Sequence, residues 1–123
     1  GNYISVQYRR RYSTLSYSNR VGSELTMQAA KRVEIICDTV EVKNVVKLLE
    51  VVGVSGYTII RDVVGKGGRG SRRGDDLTDV FKNSMILTVC NPEQIPDVVD
   101  AIRPILKRFG GICLISDVHF VIH

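Results

Sequence analysis

The spacing of apolar residues changes several times along the chain, and each change predicts a new element. In residues 32–37 apolar and charged residues alternate before the run becomes fully apolar, which indicates a strand with at least one buried face. In residues 42–52 valines and leucines recur at helical spacing. Asp38 and Glu41 precede this helix in a pattern like a capping box, and Gly53 predicts its end.

Two further strands, a second helix and a last strand follow. Residues 57–64 and 84–90 are rich in β-branched residues, which predicts two strands. Asn91-Pro92 favours the start of a helix, whose apolar residues recur at helical spacing up to residue 109. Gly110-Gly111 predicts the end of that helix, and residues 112–122 form the last predicted strand.

The predicted order of elements is strand, helix, strand, strand, helix, strand. This order is typical of an α+β, ferredoxin-like βαββαβ fold, in which a four-stranded antiparallel sheet carries two helices on one face. The other face of the sheet would be apolar, because the first two predicted strands carry apolar residues on both faces. We therefore expect the protein to cover that face by self-association.

The composition is that of a soluble domain. The chain of 123 residues is 44% hydrophobic and 24% charged, and no apolar run approaches the roughly eighteen residues that a membrane span needs. The cysteines, Cys37, Cys90 and Cys113, are odd in number and widely spaced, which argues against a disulfide framework or a zinc site. We predict buried, reduced thiols, and these favour a cytoplasmic location.

Residues 1–30 form a predicted N-terminal extension that precedes a domain at residues 31–123. Residues 1–26 are rich in Tyr, Ser and Arg, and they carry four arginines against one acid in a chain whose net charge is +4. This composition fits a disordered arm, an RNA-binding tail or a transit-like peptide. The run that begins at Met27 also fits a natural start, in which case the residues before it would be an addition.

A long loop at residues 61–83, rich in glycine and charge, separates the two middle strands. Loops of this length inside a small domain are usually functional or disordered. Glycines let the backbone curl around a ligand, and arginines offer forked donors to phosphate or carboxylate. Residues 65–71 do not match a P-loop, because a P-loop has the pattern GxxxxGKS or GxxxxGKT and leads into a helix, whereas this run leads to further arginines. The loop is a candidate for binding phosphate or bicarbonate, and a solvated loop is the alternative.

Neither the aspartates of this loop nor the histidines predict catalysis. Asp75, Asp76 and Asp79 follow the arginines closely, so pairing with them is a simpler role than binding magnesium or acting as bases. His119 and His123 lie roughly 13 Å apart along a strand, too far to bind one metal ion together. We predict no metal site and no enzymatic activity, and a slow nucleotide hydrolase that uses one of the three aspartates is an alternative.

Two short motifs resemble a known family. The segment GVSGYT at residues 53–58, which leads to GKG at residues 65–67, resembles the GxxGxT … GxG passage of the PII signalling proteins. The resemblance covers residues 31–123 and includes the order of elements and the long loop. The GYT start, the GKG loop base and the direct Gly-Gly-Ile step into the last strand are most similar to the PII-like proteins linked to bicarbonate uptake and carboxysomes.

This resemblance implies a non-catalytic homotrimer that binds adenine nucleotides between subunits. Its long loop, the T-loop, would contact a partner such as a bicarbonate transporter or a carbon-metabolism protein. The family's second phosphate-binding loop is reduced to Phe109-Gly110-Gly111 and lacks its lysine, which favours ADP or AMP over ATP, with cyclic AMP a further candidate. The resemblance places the nucleotide near Gly56, Thr58, Gly65, Lys66, Gly67, Cys90 and His123, and bicarbonate near Arg69, Arg72 or Arg73.

A nucleic-acid-binding ferredoxin-like module is a function of a different class. It would use the basic N-terminal arm and would need exposed aromatic residues on the central strands to stack on bases. The central strands carry almost none, and Tyr57 begins an outer strand. We therefore do not expect nucleic acid as a partner.

Overall fold

The computed structural model describes residues 4–9, 12–18, 24–65 and 82–122. Short 3-10 turns at Thr39–Glu41 and Pro92–Gln94 lead into the two helices. The helices end at glycines, as predicted: Gly53 caps the first in the left-handed conformation, and Gly110 caps the second. In chain order the elements are β1 (Ile4–Arg9), β2 (Tyr12–Ser18), β3 (Glu24–Asp38), α1 (Val42–Val52), β4 (Thr58–Val63), β5 (Asn83–Cys90), α2 (Ile95–Phe109) and β6 (Ile112–Val121).

Strands β4, β5, β3 and β6 lie side by side in that order, and each neighbouring pair is antiparallel. Between β3 and β4 the chain forms α1, and between β5 and β6 it forms α2. This arrangement confirms the predicted ferredoxin-like βαββαβ fold.

The core lies between the sheet and the two helices. Val33 and Ile35 of β3 and Ile86 of β5 are completely buried, because alternate residues of a strand point to the same face. Leu49 of α1 and Ile102 of α2 pack in the same cluster, at the helical spacing read from the sequence. Each such side chain contributes about 1.5–3 kcal/mol when it leaves water, so this single layer supplies the main driving force for folding.

The opposite face of the sheet, called here the open face, is apolar and exposed. Ile60, Met85, Ile36 and Ile112 form one row of directly paired residues across all four strands, and Ile60 and Ile112 are 43% and 49% exposed. Leu114, further along β6, is 53% exposed. The structure thus confirms that this face is not covered by the chain's own helices, and a patch of this kind is typical of an interface between proteins.

The first strand of the domain is much longer than predicted. It begins at Glu24 rather than at residue 32, so the predicted boundary between residues 30 and 31 falls inside β3. Residues 24–28 of β3 pair with β2, and β2 pairs with β1. Residues 24–29 alternate polar and apolar residues as a strand does, but the prediction assigned them to the extension. Pairing with β2 and β6 supplies the partners for their backbone hydrogen bonds. The division into an extension and a domain stays a prediction.

Among the described residues, no helix is both long enough and apolar enough to cross a membrane.

Candidate functional site

A cleft of about 270 Å³ lies where β5 ends and α1 gives way to β4. Its walls come from three parts of the chain: the segment after α1, the turn after β5, and the first half of β3 together with the end of β6. The lining residues are Gln28, Ala30, Gly53, Ser55, Val89, Cys90, Asn91, Gln94 and Phe120.

The cleft coincides with a gap in strand pairing along β3. On one edge of β3, the ladder with β2 stops at Gln28 and the ladder with β5 begins at Lys31, so Ala29 and Ala30 have no ladder partner on that edge. The other edge is paired with β6 throughout this stretch. The gap therefore opens toward the turn after β5, which is the side on which the cleft lies.

The segment from Gly53 to Gly56 forms one wall of the cleft and is held by side chains of other elements. Gly53 has φ +94°, and its N–H donates to the carbonyls of Leu49 and Glu50 at the end of α1. The side-chain amide of Gln94 donates to the Gly53 carbonyl at 3.1 Å. The hydroxyl of Thr88 donates to the Gly56 carbonyl at 2.5 Å.

The structure places four of the predicted nucleotide-binding residues. Cys90 lines the cleft and is 5% exposed. Gly56 follows the lining residue Ser55 directly, and Thr58 pairs with Leu87 at the start of β4. Gly65 lies just beyond β4 and is exposed. The other predicted binding residues lie outside the described residues: Lys66, Gly67 and His123 for the nucleotide, and Arg69, Arg72 and Arg73 for bicarbonate.

Sequence reasoning missed several residues that line the cleft. Gln28 lies in the segment that the sequence assigned to the extension, and it lines the cleft. Phe120 is 50% exposed although it is a large aromatic residue on a strand. Its position opposite Gln28 in the β3–β6 register explains why the two meet in the cleft. The alternation along β6 could have indicated Phe120, whereas only strand register brings in Gln28.

The base of the long loop has an irregular backbone on the outgoing side. Asp62 adopts φ 60°, which is uncommon for a residue other than glycine. The pairing of β4 with β5 shifts between Ile60 and Val63, so Asp62 lies in a bulge that redirects the chain as it leaves the sheet.

The returning side of the loop is anchored to the beginning of α1. The Thr39 N–H donates to the Lys82 carbonyl at 2.8 Å, and the hydroxyls of Thr39 and Ser84 lie 2.8 Å apart. Ser84 is completely buried. The two sides of the loop base thus differ. The side at Asp62 has an uncommon backbone conformation, whereas the side at Lys82 and Ser84 is held to Thr39 by hydrogen bonds.

The cysteines are protonated at neutral pH and are not poised as nucleophiles. Burial raises the pKa of Cys37 to about 11, with Asp38 and Glu41 adding to the rise. Burial alone raises the pKa of Cys90 and of Cys113. Cys90 therefore serves as an apolar wall of the cleft.

Charged side chains near the cleft form an ion pair rather than a metal site. The Lys31 ammonium donates to the Asp117 carboxylate and, by this hydrogen bond and its charge, lowers the pKa of Asp117, with His119 adding a smaller effect. Within the described ranges, no group of three or more His, Cys, Asp or Glu side chains could hold a metal ion.

Comparison with known proteins agrees with the resemblance seen in the sequence. The model of the family described as "Nitrogen regulatory protein P-II" matches residues 30–122. A search of the curated proteins found no match.

Solved structures with the same fold include CPII, a PII-like protein from Thiomonas intermedia K12. The CPII structure with ADP and bicarbonate is 27% identical, has a TM-score of 0.65, and the match covers 76% of this chain and 89% of that one. The apo form of CPII is 20% identical with a TM-score of 0.68, covering 80% and 99%. The GlnK–ATP complex of B. subtilis is 18% identical with a TM-score of 0.56, covering 73% and 82%.

Proposed function

Because the chain belongs to the nitrogen regulatory protein P-II family, we propose that it is a non-catalytic regulatory protein that binds an adenine nucleotide at the cleft beside Gly53–Gly56. The observation that carries this proposal is the position of the GVSGYT segment. Gly53 and Ser55 of the motif on which the family resemblance rests line the cleft, and the motif leads directly into the strand that runs to the GKG loop base.

One chain supplies only part of the nucleotide site. The cleft volume of 270 Å³ is slightly below the roughly 300–1,000 Å³ that is usual for small-molecule sites, and the cleft adjoins exposed apolar residues of β6. Proteins of the P-II family are trimers. In a trimer that buries the open face, a neighbouring subunit would close the cleft over the nucleotide.

The nucleotide would lie with its base and ribose near Gly56, Thr58 and Cys90. Its phosphates would approach Gly65, Lys66 and Gly67 at the loop base, and His123 would contribute near the phosphates. ADP or AMP fits better than ATP, because α2 passes directly through Gly110-Gly111 into β6 and leaves no room for a second phosphate-binding loop. CPII, which has the same fold, was solved with ADP, AMP and bicarbonate.

Bicarbonate is the second ligand that we propose, bound by Arg69, Arg72 or Arg73 of the T-loop. Guanidinium groups bind planar oxyanions through paired hydrogen bonds. The T-loop, residues 61–83, would then report the occupancy of both ligands to a cytoplasmic protein or to a transporter of inorganic carbon. In this role the protein regulates carbon uptake or metabolism and performs no chemistry itself.

Calorimetric titration tests this function. The protein is titrated with ATP, ADP, AMP and cyclic AMP, each with and without bicarbonate, and its mass is measured by light scattering. We expect micromolar binding of ADP or AMP, a change in affinity when bicarbonate is present, and a mass of three times the 13.7 kDa chain.

Matched variants make the titration specific. Lys66→Ala should weaken nucleotide binding, whereas Lys47→Ala, which removes an exposed lysine of α1, should not. Arg69→Ala should reduce the bicarbonate effect, whereas Arg103→Ala on α2 should leave it unchanged. A failure of all four nucleotides to bind would overturn the proposal.

A further inference from the structure

We infer that Thr88 and Gln94 are positioning residues that clamp the Gly53–Gly56 segment into the shape that the cleft requires. The inference rests on the proposed function, since the clamped segment is the wall of the proposed nucleotide site. Neither residue is among the binding residues that the family resemblance predicts.

Packing fixes only part of the segment, because Val54 packs against the core whereas Gly53, Ser55 and Gly56 are exposed. A Cβ atom added at Gly53 or at Gly56 would meet nothing within 4 Å. Residues Ser55 and Gly56 are exposed, and the described backbone bonds of the segment are those from Gly53 and Val54 back to the end of α1. Glycines at both ends also leave the backbone more conformations than other residues would. Side-chain hydrogen bonds therefore supply the restraint on the carbonyls of the two glycines, which neither the packing of Val54 nor these backbone bonds hold.

Thr88 provides the first restraint from inside the core. It is 2% exposed, pairs with the fully buried Val33, and follows Ile86 on the face of β5 that points to the helices. A hydroxyl in such apolar surroundings is costly unless it is hydrogen-bonded. Its hydroxyl donates to the Gly56 carbonyl at 2.5 Å, which fixes that peptide plane and with it the direction of the Tyr57 N–H.

Gln94 provides the second restraint from the turn before α2. Its Nε2 donates to the Gly53 carbonyl at 3.1 Å, and its Oε1 accepts from the Asn91 N–H at 3.1 Å. Because both the nitrogen and the oxygen of the amide make hydrogen bonds, the side chain links the end of α1 to the turn before α2. Gln94 also lines the cleft, and these bonds use one of its two N–H donors and one of its two acceptor lone pairs.

The two bonds together pre-organise the segment. Each holds the carbonyl of one of the two glycines, so the backbone between them has its ends fixed before a ligand arrives. A segment that is already ordered gives up less conformational entropy on binding, and this improves affinity. The clamp thus increases affinity for the nucleotide without a contact from Thr88.

The test measures ADP affinity and the hydrogen–deuterium exchange of residues 53–57 in full-length variants. Thr88→Val, which keeps the shape but removes the donor, should speed exchange in this segment and weaken ADP binding by about tenfold. Thr88→Ser, which restores the donor, should return both quantities to within about threefold of wild type. Gln94→Leu should act in the same direction as Thr88→Val.

Ile86→Val is the matched control, because it removes one methyl group from the same face of β5 without touching the glycine segment. It should lower stability while leaving ADP affinity and the exchange of residues 53–57 unchanged. The inference is overturned if Thr88→Val leaves both quantities at wild-type values, or if Ile86→Val changes them equally. If wild type binds no nucleotide but Thr88→Val still speeds exchange, the proposed function fails while the clamp stands.

Discussion

Gly111 lies between α2 and β6, and we expect its replacement by alanine to lower the free energy of unfolding strongly. The residue has φ +109°, and a Cβ atom there would lie 2.4 Å from the Ile36 carbonyl oxygen and 3.3 Å from Leu106 Cδ2. The first contact is with backbone of the central strand, so the clash cannot be relieved by rotating a side chain. Gly111→Ala therefore combines two penalties, a strained φ and an enforced shift of β6 against β3.

Each penalty can be estimated, and a comparison with Gly53→Ala separates the cost of the backbone conformation from the cost of the clash. A residue other than glycine at such a φ costs about 1–3 kcal/mol, and forcing extra volume into packed structure costs about 1–3 kcal/mol more. Gly53 has φ +94° but nothing within 4 Å of an added Cβ, so Gly53→Ala carries the first penalty alone. Gly56 has neither a positive φ nor a close neighbour, so Gly56→Ala should change the free energy of unfolding by less than about 1 kcal/mol.

Urea denaturation of the three variants checks this order. We expect losses of about 2–6 kcal/mol for Gly111→Ala, about 1–3 for Gly53→Ala and nearly none for Gly56→Ala. Because domains of this kind unfold with about 5–15 kcal/mol, Gly111→Ala is expected to remove a large share of the free energy of unfolding. Equal losses for Gly111→Ala and Gly53→Ala would refute the reasoning, since they would mean that β6 moves away from Ile36 at no cost.

Three further predictions concern the core, the loop base and the open face. Because burial raises the pKa of Cys37 from 9.0 to about 11 in the folded protein, its contribution to stability is complete below pH 9 and is lost as pH rises to about 11. The free energy of unfolding should fall by up to about 2–3 kcal/mol more over this range in wild type than in Cys37→Ala, and parallel pH profiles would contradict this. Asp62→Val should lower stability by about 1–2 kcal/mol because a β-branched residue tolerates φ 60° poorly, whereas Asp62→Gly should be nearly neutral, both measured by thermal unfolding. Leu114→Glu should reduce the mass found by light scattering to that of one chain, because it places a charge on the open face; an unchanged trimer would show that assembly does not use this face.

Sequence periodicity predicted the elements that form the core. The valines and leucines of α1, the apolar stripe of α2 and the alternation in residues 32–37 all lie where the predicted fold requires them. These signals are local, because side chains three or four residues apart share a helix face and alternate residues share a strand face. Gly53 and Gly110 were likewise recognised as helix ends, since the backbone conformation after a helix favours glycine.

The cleft was predicted only in part. Gly56, Thr58, Gly65 and Cys90 came from a motif resemblance, and of these Cys90 lines the cleft itself. Gln28 was missed because residues 1–30 were assigned to an extension, although residues 24–29 alternate polar and apolar residues. This stretch forms a strand that pairs with β2 and β6.

The sequence by itself therefore determined the order of elements, the buried stripes and the glycine-rich segments, because each depends on neighbours within a few residues along the chain. Only the tertiary structure decided which side chains meet around the cleft. Gln94 and Gly53 are 41 residues apart, and Thr88 and Gly56 are 32 apart. The packing of α1 against α2 and the pairing of β4 with β5 bring these residues together. Both depend on burial of side chains that are far apart in the sequence, which no short pattern reveals.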